Sequence, residues 1–147
     1  MIGLKLKYCL GILLLMVILS GCSSEKLPAD QVQKYSDPMA ENILTALSSE
    51  DYAQLSKNFD DQMKGSSSSL NANNYQKTIA DIRGKIGGYV AKSKQFVSAE
   101  KKDGFITVTY NAKFENEPKN VVVRSVFSEK EGQFYISGFW LDSPKLQ

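Results

Sequence analysis

The chain has 147 residues, with 18 Lys plus Arg against 16 Asp plus Glu, a formal charge of +2, two cysteines and no histidine. The missing histidine excludes Ser-His-Asp and Cys-His catalytic sets and leaves any zinc or copper site to carboxylates and the two cysteines. Two cysteines make no disulfide framework, and so small a charge lacks the basic footprint of a nucleic-acid binder.

Lys5 and Lys7 form a basic head, Leu10 to Leu19 an apolar run, and Ser20 and Gly21 a small-residue approach to Cys22. That is the order of an export signal. The run falls short of the roughly 20 apolar residues that a transmembrane helix needs. "LSGC", with Leu19 three residues before Cys22, resembles the lipobox of bacterial lipoproteins. The resemblance implies removal of residues 1–21 and acylation of Cys22 by a diacylglycerol and an amine-linked chain, enough for stable attachment. The expected location is the cell membrane or outer membrane, facing away from the cytoplasm.

Cleavage there changes the composition. Lys5 and Lys7 leave with the leader, so the 18 basic residues become 16, equal to the 16 acidic ones. Cys9 leaves too, and an acylated Cys22 has no thiol to pair, which leaves any zinc or copper site to carboxylates alone. The polar segment 22–36 reads as the lipidated cysteine and a flexible tether. Residues 37–147 suit a single domain with one core.

Asp37 and Pro38 offer an N-cap and a first helical position, with Met39, Ile43, Ala46 and Leu47 on one face. A second short helix, capped by Ser48 or Ser49, aligns Tyr52, Leu55 and Phe59. "KGSSSSL" reads as a loop. A third helix from about Asn73 places Tyr75, Ile79, Ile82 and Ile86 in one stripe and stops at Gly87 and Gly88. The period then changes from helical to two. "YVAKSKQFVSAE", "FITVTYNAKF", "VVVRSVFS" and "QFYISGFWL", separated by "KKDG", "ENEPKN" and "EKEG", predict four antiparallel strands. The class is α+β, three N-terminal helices on a bent four-stranded antiparallel sheet.

This order resembles the cystatin-like roll of the nuclear-transport-factor-two-like superfamily. "ILTALSSEDYAQLSKNFDDQMK" and "GQFYISGFWL" are similar to an uncharacterised family of small secreted or lipid-anchored bacterial domains. Nothing catalytic travels with that resemblance. Some enzymes of the wider superfamily use Asp and Tyr in the hollow of the roll, which would point to Tyr52, Asp60 or Tyr110 and an isomerase or hydratase. Against this, Glu50, Asp51, Asp60 and Asp61 suit helix ends, where acids complement the dipole or sit in water.

No catalytic set, metal site or cofactor motif is expected. Tyr52, Phe59, Tyr89, Tyr110, Phe127 and Trp140 are candidates to line a pocket between helices and sheet; a filled core uses the same residues. The last two strands are apolar on both parities. Val122, Val126, Tyr135, Phe139 and Leu141 are therefore candidates for an interface with a second copy or an envelope protein, unless a bulge turns some of them inward. The expected role is binding or accessory rather than enzymatic. Its target is a small apolar ligand, a peptide or an envelope protein, with the membrane engaged through the lipid and no nucleic acid; a purely structural envelope module is the other reading.

Overall fold

A computed structural model describes residues 23–66 and 69–147; the leader and Cys22 lie outside the described residues. The class is α+β. Its sheet has five strands rather than the expected four: β1 (Glu25–Lys26), β2 (Gln95–Lys102), β3 (Phe105–Phe114), β4 (Glu117–Lys130) and β5 (Gln133–Asp142). They follow one another in space in chain order, every neighbour antiparallel. The helices among the described residues are α1 (Ala29–Ser49), α2 (Tyr52–Leu55), α3 (Asp61–Ser66) and α4 (Ser69–Ile86), with 3-10 turns at Ser56–Asn58 and Pro144–Leu146.

The segment expected to be a flexible tether belongs to the fold instead. Glu25 pairs with Lys101 and Lys26 with Glu100, two opposite-charge pairs that add β1 to the sheet edge. The Leu27 amide donates to the Ala99 carbonyl at 2.9 Å. Helix α1 then starts at Ala29, eight residues before Asp37, and buries Val32 and Ser36. The local signal at Asp37–Pro38 loses because Pro38 falls on the exposed side of a helix whose other side is committed to the core. An interior proline costs a helix about 3 kcal/mol; a fully buried valine alone is worth about 1.5 to 3 kcal/mol, and Val32 is joined on the buried face by Ala40, Ile43, Leu44 and Leu47, so the packing of the whole face outweighs the proline.

Helix α1 ends at Glu50, in the left-handed conformation with its amide turned back to Ala46 and Leu47. Asp51, rather than Ser48 or Ser49, caps α2 by accepting the Gln54 amide at 3.0 Å. Part of the expected loop is helical: α3 covers residues 61–66, and α4 begins at Ser69 rather than Asn73. Gly87 then stops α4 with a φ of 77°. Any side chain there would strike the Asn116 amide, 3.0 Å from the Cβ position.

The alternation read in β3 is that of the structure. Ile106, Val108, Tyr110, Ala112 and Phe114 face inward and are buried, while Thr107, Thr109, Asn111 and Lys113 face out. Opposite them Phe127, Ser125, Val123 and Val121 of β4 continue the inner layer. Ile43, Leu44, Ala46 and Leu47 of α1 close it from the other side.

Candidate functional site

Between α1 and the inner face of the sheet lies a polar network set in apolar surroundings. Ser36 and Tyr110 are both fully buried, and their hydroxyls share a 2.6 Å hydrogen bond. The Lys94 ammonium sits 3.3 Å from Asp37 Oδ1 and 4.6 Å from the centre of the Tyr110 ring. Gln33 donates to the other carboxylate oxygen. Beside them the Tyr89 hydroxyl donates to Glu41 at 2.9 Å, and the Lys94 amide donates to that hydroxyl. Burial, then the hydrogen bond to Glu41, pushes the Tyr89 phenol up to about 12. Burial raises Tyr110 further still. Both phenols therefore carry their protons at neutral pH.

Of the six candidate lining residues, Phe59, Tyr89, Tyr110 and Phe127 are buried in the core. Tyr35 of α1 packs on this layer, edge-on to Phe127 at 5.3 Å and stacked on Phe134 at 3.7 Å. Tyr52 stands apart, half-buried against Tyr75 of α4. Trp140 contradicts the expectation. It is 56% exposed, on the outer face of the sheet.

The reason is a bulge. Val126 pairs with Gly138, yet the next residue, Phe127, pairs with Ile136, leaving Ser137 as an extra residue in β5. Beyond that point the facing reverses. Phe139 and Leu141, expected at an interface, turn inward beside the core, while Trp140 turns out and lies across Gly138, where a Cβ would collide with the indole. The outer face therefore brings together Val122, Val126 and Tyr135 from the expected set, all partly exposed, with Trp140 in place of Phe139 and Leu141. Arg124 pairs with Trp140 across the strands.

The carboxylates are occupied by structure. Asp60 accepts the Met63 amide at 2.7 Å through one oxygen and the Ser137 hydroxyl at 2.6 Å through the other; Ser137 also bonds Ser128. Asp60 thus caps α3 and tethers it to the bulge of β5. Asp61 pairs with Lys130 at 3.3 Å on the surface, and both border a groove of about 360 Å³ with Asp60, Ser128 and Tyr135. A second groove of about 350 Å³ runs between α4, the end of β5 and the C-terminal turn, walled by Ile82, Phe139, Trp140, Leu141 and Leu146. Glu117, also buried, accepts the Ser143 hydroxyl, which holds its carboxyl below the ordinary range.

No cluster of three or more metal-ligating side chains occurs among the described residues, and none of the described helices is long and apolar enough to cross a membrane. No protein-family model matches the chain, and no curated protein matches it.

Proposed function

We propose that the chain is a lipid-anchored, extracytoplasmic domain, acylated at Cys22, whose cystatin-like roll binds a protein partner on the outer face of its sheet. The observation that carries this reading is Trp140. A tryptophan left 56% exposed, with Val122, Val126 and Tyr135 on the same face, is the kind of aromatic anchor around which protein interfaces concentrate their binding energy. Binding is favoured over acid-base chemistry because the phenol and hydroxyl in the hollow, Tyr110 and Ser36, are bonded to each other and closed to solvent. The partner is a second copy or another envelope protein.

Trp140 is the chain's one tryptophan, so its emission reports this face directly. The protein without its leader is expected to emit at the long wavelengths of wet indole when dilute. Analytical ultracentrifugation across a concentration series identifies a second copy, and a photo-crosslinking residue at position 140 in cells identifies another protein. A monomer at every concentration, with no crosslinked product on cells, would refute the reading.

A further inference from the structure

This inference rests on the lipid-anchor reading and extends it to the way the domain meets its membrane. Only Ser23 and Ser24 separate Cys22 from Glu25, and three Cα steps of about 3.8 Å keep the cysteine within about 11 Å of the first paired residue of the sheet. The register of β1 gives the direction. Lys26 faces Glu100 and Glu25 faces Lys101, so the chain followed back from Glu25 runs toward Lys102 and the turn at Asp103–Gly104.

That turn is a two-residue hairpin with φ of 52° at Asp103 and 82° at Gly104, the tight mirror-image type that matches strand twist. Lys102 and Phe105 face each other across its base. Phe105 is 47% exposed, and Lys101 and Lys102 are exposed beside it. An aromatic ring flanked by long stems with charged heads is suited to the boundary between headgroups and acyl chains.

We propose that the tip of the β2–β3 hairpin, Lys101 to Phe105, is a membrane-contact site, pressed on the lipid surface by the anchor at Cys22 and seated through the Phe105 ring. Around it Lys26, Lys101 and Lys102 are balanced by Glu25, Glu100 and Asp103. The contact is therefore indifferent to the charge of the lipid, unlike a polybasic segment, and rests on the ring. The short connection also orients the sheet. β3, with its 10 residues at about 3.4 Å each, places its far end roughly 30 Å from the tip.

The test uses the full chain, processed in a lipoprotein-producing host, extracted in detergent and reconstituted into vesicles. One set of vesicles is phosphatidylcholine alone and another contains a fraction of phosphatidylglycerol, both with headgroup-region spin-labelled lipid as quencher. Lys102→Cys at the tip and Lys119→Cys near the opposite end of the sheet each carry one fluorophore, since an acylated Cys22 has no free thiol. Intact mass comes first. With the lipid mass present, the label at 102 should lose most of its emission in both kinds of vesicle, and the label at 119 should keep it. Adding Phe105→Ser should restore emission at 102.

Equal emission at the two sites in a lipidated protein would overturn the contact and leave the anchor standing. Quenching at 102 confined to phosphatidylglycerol would overturn seating through the ring. A protein without the lipid mass overturns the anchor and the contact together.

Discussion

Replacing Lys94 by methionine isolates the ion pair inside the roll. The Lys94 side chain is only 10% exposed and that of Asp37 is 37% exposed, so the pair lies between the buried and surface regimes. Breaking a buried pair by removing one partner costs about 3 to 5 kcal/mol, whereas an exposed pair is worth about 0.2 to 1 kcal/mol. Methionine keeps an apolar stem but removes the ammonium both from the Tyr110 ring and from Asp37 Oδ1, a buried oxygen with no hydrogen-bond partner among the described residues. The expected loss is about 2 kcal/mol, somewhat below the buried value because water reaches Asp37. Urea unfolding followed by circular dichroism measures it, with an unchanged slope marking a change in stability alone. Adding Asp37→Asn should recover most of the loss, because both charges are then gone. A Lys94→Met protein as stable as wild type would show that water already serves Asp37, and a double variant no better than the single one would refute the coupling.

Val32→Ala should cost about 2 kcal/mol in the same assay, because the side chain is 1% exposed under α1; a neutral result would restore segment 22–36 to a tether. Trp140→Ala should cost well under the roughly 3 to 5 kcal/mol of a buried tryptophan, and iodide should quench the wild-type emission readily. Stability should fall as pH rises from about 10 toward about 12: unfolded tyrosines release protons near their ordinary value of 10 while Tyr89 retains its own up to about 12, so the unfolded state binds fewer protons. Tyr89→Phe should flatten that alkaline decline, and an unchanged pH profile would count against the burial of the Tyr89 phenol and its hydrogen bond to Glu41. At the acid end Glu117 contributes stability above its ordinary value of 4.5 that is lost as pH falls below it, and Ser143→Ala should weaken this dependence in acid titrations of unfolding.

The inner layer of the sheet is legible in the sequence wherever alternation is strict. Ile106 to Phe114 show a period of two, and all five inward residues are buried as that pattern requires. Helix α1 is legible only in its second half. Asp37–Pro38 offers an N-cap residue and a first-turn proline, and what overrides that signal is the packing of Val32 and Ser36 against a sheet formed some sixty residues later. Strand β1 has two residues and no apolar signal, being defined by its partner strand. On β5 the facing depends on Ser137, and Gly138 is the available sign, since an isolated glycine in a strand often marks a bulge. That sign does not say which neighbour is the extra residue, so Trp140 reads as inward until the register is known.

Both margins of the open sheet are blunted. One ends in β1, two residues bearing opposite charges, and the other in β5, where Phe59 forms a parallel bridge to Ile136 and the Asp60 amide takes the Ile136 carbonyl at 2.9 Å. An uncapped margin offers a template for another chain, and the hazard grows with local concentration. A protein confined by acyl chains to a plane meets its own copies far more often than the same number of molecules dispersed in volume. Under the anchor proposed at Cys22, short charged strands and a backbone clasp at the margins would let such a layer stay crowded without zipping into fibres, and the proposed contact would fall on the broad outer face rather than on the edges.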